Sequence, residues 1–369
     1  MKYYIISGEA SGDLHGSNLV REMKRLNPSC EFRGWGGDLM QTEGVSLVRH
    51  YRDLAFMGFT EVVMNLRTIL RNIDFCKRDI LEYRPDALIL IDYPGFNLRI
   101  AKFAAENNIK VYYYISPQVW AWKQSRVHQI KQTVDKMLVI LPFEKEFYAK
   151  FDYKADFVGH PLLDAIERKR GELSDKDGFL KKHNLSSQPL IALLPGSRKQ
   201  EIERMLPLML SVISSFPDYQ FAIACAPSQP KEYYQSFLQG RSIPLITDDT
   251  YRLLAASSAA LVTSGTATLE TALLNVPEVV CYKGGRLSYM IAKSLVKIKF
   301  ISLVNLIMDR EVVKELIQDQ LSTANLITEL KKVLSDSHRL KLFNDYSELR
   351  NKLGGVGASA KAAEIILKG

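Results

Sequence analysis

Short, unbroken apolar runs alternate with amphipathic stretches along this chain. In the first half, residues 3–7, 87–91, 110–115 and 137–141 are apolar runs of strand length. Residues 18–26, 62–82 and 98–107 between them repeat apolar positions at helical spacing. The second half repeats the scheme, with strand-like runs at 190–194, 220–225, 244–246, 259–263 and 277–282, each followed by a helical pattern. Continuous apolar strands are buried on both faces, and strands that alternate with helices build parallel sheets. The pattern predicts an α/β protein of two doubly wound, Rossmann-like domains facing a shared central cleft. Residues 1–167 make the first and 189–352 the second. The polar, lysine-rich stretch 168–188 reads as a linker, and 353–369 as a terminal helix that packs back on the first domain.

Near the front of each half, an apolar strand runs into a glycine-bearing turn: Ser7-Gly8-Glu9-Ala10-Ser11-Gly12-Asp13 and Pro195-Gly196-Ser197-Arg198. A strand, a small-residue turn and a helix start favour close approach of a nucleotide or phosphate. Neither turn has the GxGxxG spacing of a dinucleotide site.

Composition narrows the class. A chain of 369 residues suits about two domains. Its 47% hydrophobic and 24% charged residues belong to an ordinary globular protein. Four scattered cysteines and six scattered histidines make no metal-type cluster. Residues 3–7 are too short for the apolar core of a secretion signal, and no apolar run of about 18 residues exists to span a bilayer. The net charge of +8 favours an anionic partner: nucleic acid, a phosphorylated substrate or an acidic lipid surface. Without zinc-finger spacing, an RNA-binding aromatic motif or an arginine-rich arm, nucleic acid ranks last.

The first turn brings Glu9 and Asp13 to a helix start beside the small Ser11. Carboxylates there repel a pyrophosphate, so the turn suits the hydroxyls of a sugar; Asp13 or Ser11 as a plain helix cap is the alternative. Asp92 ends an apolar strand at the carboxyl edge where α/β sheets place ligands, a helix-cap or turn aspartate being the alternative. Apolar walls raise a carboxyl pKa and make it a better general base. Trp120 and Trp122 offer a groove for acyl chains or a sugar face, with Lys123 and Arg126 near for phosphate, or they are ordinary core. Phe56, Met57 and Phe59 open a stretch to Arg71 that mixes large apolar side chains with arginines. It fits a membrane interface, an acyl groove or a core-facing helix. In the second half, Arg198 suits bidentate contact with phosphate. Ser264, Gly265 and Thr266 form a strand-to-helix turn whose N–H groups and hydroxyls suit a diphosphate, and Glu270 lies within reach of a ribose.

Nine segments in order then carry a resemblance: Ser7–Asp13, Ala55-Phe-Met-Gly58, Ile91–Asn97, Ser116–Trp122, Leu141-Pro-Phe-Glu-Lys145, Val158-Gly-His-Pro161, Leu194–Arg198, Ser264–Glu270 and Ile301-Ser-Leu-Val-Asn305-Leu306. Together they resemble the lipid-A-disaccharide synthase family, bacterial glycosyltransferases of GT-B architecture. One departure is Gly95, where many members carry aspartate, and this leaves Asp92 as the better candidate base. The resemblance implies an inverting transfer from UDP-2,3-diacylglucosamine to 2,3-diacylglucosamine 1-phosphate (lipid X). The products are a β-1,6-linked disaccharide 1-phosphate and UDP. It also implies Asp92 as base, with Glu9 and Asp13 as rivals or acceptor ligands. Arg198 and the Ser264–Thr266 helix start would meet the leaving diphosphate, and Asn305 and Gln318 would help seat the nucleotide. Neither a metal nor another cofactor is implied. With two lipid substrates, a cytoplasmic enzyme peripheral on the inner face of the cytoplasmic membrane is expected, and a homodimer is left open. The rivals are a UDP-sugar 2-epimerase of the same fold and a non-catalytic lipid- or nucleotide-binding protein.

Overall fold

The computed structural model describes residues 1–54, 66–285 and 299–369. They form two compact units, residues 1–165 with 353–369, and residues 166–352.

The first unit is built on seven strands: β1 (Lys2–Ser7), β2 (Glu31–Gly36), β3 (Val45–His50), β4 (Ala87–Ile91), β5 (Lys110–Tyr114), β6 (Lys136–Val139) and β7 (Ala155–Phe157). Their order is β3-β2-β1-β4-β5-β6-β7, and every neighbouring pair is parallel. Residues 3–6 and 88–91 are fully buried, as their continuous apolar runs require. Each such Ile or Leu contributes about 1.5–3 kcal/mol by leaving water. Strand order reverses between β1 and β4, the crossover where parallel α/β sheets open a crevice for ligands. Ser7 pairs with Ile91, so the turns leaving both strands emerge side by side.

The first helix, Ala10–Leu26, begins well before the expected residue 18. Gly12 and Gly16 interrupt the apolar pattern for a packing reason. A Cβ on Gly12 would lie 2.4 Å from the Ser7 hydroxyl oxygen, so the helix approaches β1 more closely than any larger residue allows. Strands β2, β3 and β7 carry no clear apolar run. β2 holds Arg33 and two glycines, β3 is a half-exposed edge, and β7 is three residues long. Helix Leu66–Tyr83 covers the described part of the helix expected over 62–82.

The second unit has six strands: β8 (Leu190–Leu194), β9 (Gln220–Cys225), β10 (Leu245–Thr247), β11 (Ala259–Thr263), β12 (Glu278–Tyr282) and β13 (Lys314–Ile317). They run in the order β10-β9-β8-β11-β12-β13, again all parallel. The crossover lies between β8 and β11, with Leu194 paired to Val262. Only β13, a short edge strand with charges at its start, escaped the apolar pattern.

The stretch expected as a linker folds instead. Residues 168–188 include helices Arg170–Leu173 and Lys176–Lys182. Phe179 is fully buried in the second core, with Leu180 and Leu185 packed against it. Its lysines form the solvated face of these helices, which hid the apolar face in a count of composition. The terminal helix Ala358–Lys368 belongs to the first unit. It packs on helix Ala10–Leu26 through a buried face that includes Ala358, Ala362, Ala363 and Ile366. The Asp164 carboxylate accepts the Gly357 and Ser359 N–H groups at 2.6 and 2.8 Å and fixes its start.

Candidate functional site

At the first crossover, Gly8 follows β1 under the ring of Tyr93. A Cβ there would lie 2.4 Å from the Tyr93 Cγ, so only glycine lets the aromatic ring cover the turn. Glu9 caps helix Ala10–Leu26 with extended backbone, its side chain half-exposed and making no capping bond. Ser11 is exposed in the first turn of that helix.

Asp92 leaves β4 with φ of 42°, and Tyr93 follows at 49°, two consecutive non-glycine residues in the left-handed region. The Asp92 N–H donates to the Tyr114 carbonyl at 3.2 Å. Its own carbonyl accepts from Asn97 Nδ2 at 2.8 Å and from the Tyr113 hydroxyl at 2.5 Å. Burial pushes the Asp92 carboxyl up to about 7, the negative charge of Glu9 adds to the rise, and the Tyr93 N–H offsets part of it. A carboxylate balanced near neutrality is a competent proton acceptor.

Asp13 plays no part in this. Its two oxygens accept from the backbone N–H groups of Gly37, Met40 and Leu39 at 2.8, 3.0 and 3.1 Å, tying down the start of helix Asp38–Thr42. The expectation of Asp13 as base or acceptor ligand is therefore corrected: it is a buried cap, for a helix that the sequence pattern did not reveal. The two tryptophans of the aromatic segment also part company. Trp120 is half-buried on the first core, edge-on to Phe143 at 5.0 Å. Trp122 is 51% exposed, with Lys123 Nζ 5.0 Å and the Arg126 guanidinium 5.4 Å from its ring centre. Near Trp120 lies Glu144, a buried residue that the sequence places in the segment Leu141–Lys145 without a role of its own. It accepts from the Leu141 and Ile140 N–H groups at 3.0 and 3.3 Å, and burial raises its carboxyl to about 8. Phe56, Met57 and Phe59 lie outside the described residues.

At the second crossover, Arg198 caps helix Lys199–Leu210. The turn already holds an anion, because Glu201 Oε2 accepts from the Ser197 and Arg198 N–H groups at 3.1 and 3.2 Å, while Oε1 takes the Arg198 guanidinium at 3.2 Å. A phosphate at this turn competes with Glu201. The signal was present in the sequence as a glutamate at the third helical position, the pattern of a capping box.

The turn after β11 is different. Helix Thr266–Leu273 is capped by Gly265, which brings no side chain, and both Gly265 and Thr266 are exposed. Its first N–H groups, without partners inside the helix, carry the positive end of the helix dipole. The Ser264 hydroxyl donates to the Ile301 carbonyl at 3.0 Å, so the backbone rather than this hydroxyl offers the donors. Glu270 is half-buried and accepts from the Tyr251 hydroxyl at 2.9 Å. Burial raises its pKa, and Tyr251 and Lys169 oppose the rise. Lys169, Glu172 and residues 248–252 line a small open pocket that includes Tyr251. Tyr251 carried no motif and was missed.

Asn305 is a second correction. It is fully buried: Nδ2 donates to the Val313 carbonyl and Glu315 at 2.8 and 2.9 Å, and Oδ1 accepts from the Val312 and Val313 N–H groups at 2.7 and 3.0 Å. All four side-chain hydrogen bonds are made within the fold, leaving the carboxamide no free donor or acceptor for a nucleotide. The Gln318 carboxamide faces the Gly284 backbone, donating to its carbonyl at 3.3 Å and accepting from its N–H at 3.2 Å. Among the described residues, no group of three or more His, Cys, Asp or Glu side chains is placed to hold a metal ion, and no helix is long and apolar enough to cross a membrane.

Comparison with known proteins adds to this geometry. A family model described as lipid-A-disaccharide synthetase matches residues 3–368. A lipid-A-disaccharide synthase of Syntrophus aciditrophicus is 41% identical over 98% of this chain and 96% of its own. Among solved structures, the UDP-GlcNAc 2-epimerase of Neisseria meningitidis, bound to UDP-GlcNAc, has a TM-score of 0.73 at 15% identity, covering 100% of each chain. The glycotransferase of kitacinnamycin has a TM-score of 0.64 at 13% identity, over 100% of this chain and 98% of that one. These last two likenesses are of fold, the GT-B type.

Proposed function

The chain belongs to the lipid-A-disaccharide synthase family, and from that premise we propose how its residues divide the work of a hexosyltransferase. The reaction joins the sugar of UDP-2,3-diacylglucosamine to 2,3-diacylglucosamine 1-phosphate through a β-1,6 bond and releases UDP. Asp92 takes the proton from the acceptor's 6-hydroxyl as that oxygen forms its bond to the donor's anomeric carbon. The bond from that carbon to the diphosphate oxygen breaks on the opposite face. The observation that carries this reading is the half-buried carboxylate at the end of β4, on the first crossover, which burial and the charge of Glu9 push up to about 7. Glu9, beside it, orients acceptor hydroxyls. The side chains of Asp13 and Asn305 hold backbone in place and are assigned no contact with either sugar.

On the departing diphosphate, negative charge is met by the first N–H groups of helix Thr266–Leu273 and by Arg198, released from Glu201. These donors stand in place of a metal ion, and turnover is expected to be unchanged in EDTA. Glu270, steadied by Tyr251, takes the ribose hydroxyls. The exposed Trp122 with its two cations, and the net charge of +8, support contact with the anionic inner face of the cytoplasmic membrane. The test is an assay with both diacylated sugars, one radiolabelled. UDP release matched by a larger glycolipid supports the reading; UDP release without that product overturns it.

A further inference from the structure

We infer that Tyr113 and Asn97 are positioning residues for the reaction: by donating to the same main-chain carbonyl of Asp92, they lock the turn after β4 and so aim the carboxylate. This rests on Asp92 being the base. The turn needs such a lock. Asp92 and Tyr93 both occupy left-handed backbone conformations that L side chains rarely adopt, and neither is glycine. Strained turns of this kind persist only where their surroundings over-determine them.

Two elements converge to do so. From β5, next to β4 in the sheet, the Tyr114 carbonyl takes the Asp92 N–H and the Tyr113 hydroxyl donates to the Asp92 carbonyl. From the first turn of helix Pro94–Glu106, Asn97 Nδ2 bonds the same carbonyl and that of Ile91 at 3.1 Å. Both polar groups on the Asp92 main chain are thereby fixed, and the carboxylate keeps only its side-chain rotations. Tyr113 and Asn97 are themselves fully buried, so their own rotamers are set by packing. The Tyr113 ring fills core space that phenylalanine would fill equally well. Its hydroxyl is what the turn uses.

The experiment is a double-mutant cycle of Tyr113→Phe and Asp92→Asn, read as kcat, KM and melting temperature. Tyr113→Phe is expected to lower kcat about tenfold, a loss of aim in the transition state, with KM for both sugars and UDP affinity unchanged. The acid limb of its kcat–pH profile stays in place, because the hydroxyl does not bond the carboxylate. In the Asp92→Asn background, Tyr113→Phe has no further effect. Asn97→Ser, which shortens the second donor, reproduces the kcat loss if the packing around Tyr113 proves sensitive. Wild-type kcat in both Tyr113→Phe and Asn97→Ser, or a full tenfold loss on top of Asp92→Asn, overturns the positioning role. Near-normal turnover of Asp92→Asn by itself instead overturns the assignment of the base.

Discussion

The two units share one architecture and use it for opposite charges. In each, a parallel sheet reverses strand order at its crossover, β1/β4 in the first and β8/β11 in the second, and the candidate residues leave those four strands. At the first crossover, the turns present Glu9 and a half-buried Asp92 on strained, clamped backbone. At the second, they present Arg198 and a helix start with no side-chain cap. The difference lies in a few residues, not in topology: a carboxylate desolvated beside another accepts a proton, and unpaired N–H groups with a guanidinium receive an anion. A fold of this kind sets where chemistry can happen, and the turn residues set which chemistry it is.

The sharpest way to break the comparison is to neutralise its acidic side. Asp92→Asn is expected to lower kcat by about two to four orders of magnitude, the usual scale for a general base, with UDP affinity intact. It should also raise the melting temperature at pH 8. The sign follows from linkage: Asp92 has a folded pKa above its unfolded value, so the ionised folded state is penalised as pH rises through about 7. Asparagine removes that penalty. An inactive variant that is also less stable would point to damaged folding instead.

On the basic side the effects are smaller and of both signs. Arg198→Ala should weaken UDP binding about tenfold, the loss of a largely exposed charge-assisted contact. Calorimetry with UDP alone checks it; unchanged affinity would remove Arg198 from the diphosphate. Glu201→Gln should do the reverse. Glutamine keeps an oxygen for the Ser197 and Arg198 N–H groups but removes the resident negative charge, so UDP should bind about two- to threefold tighter. Weaker binding would mean that Glu201 orders the turn for the ligand and does not compete with it.

The parallel sheets were legible because their central strands are buried on both faces and read as unbroken apolar runs. Four of the nine anticipated strands, at 87–91, 190–194, 220–225 and 259–263, match to the residue. The edge strands β3 and β13 were not legible, since they need only one covered side and carry charges, whereas the edge strand β10 was anticipated at 244–246. The same logic divides the candidate site. Asp92, Arg198 and the Ser264–Thr266 turn were visible because ligand positions follow strand ends. Tyr113 and Tyr251 were not, because each acts by reaching a partner brought near by the fold, whereas the local capping-box signal of Glu201 was present. Asp13 and Asn305 misled for a related reason: in a sequence, a polar residue in a motif looks the same whether it faces a ligand or saturates buried backbone.

Glu9 offers the finest cut between the two crossovers, because it tests whether acidic neighbours tune one another. Its charge is the second cause of the raised Asp92 pKa, after burial. Replacing it with glutamine removes the repulsion but leaves the burial. The ionised form of Asp92 then becomes easier to reach, so the acid limb of the kcat–pH profile should move below about 7 while staying above the ordinary carboxylate range. Just below neutrality, where more of the base is now deprotonated, Glu9→Gln should lose less activity than at pH 8. At pH 8 only its contact with acceptor hydroxyls is missing, seen as a KM increase of about threefold for a neutral replacement of a hydrogen-bonding group. A limb that stays in place while KM rises would leave Glu9 as an acceptor ligand with no electrical influence on Asp92. A limb that moves upward would mean Glu9 stabilises the ionised base, reversing the sign of their coupling.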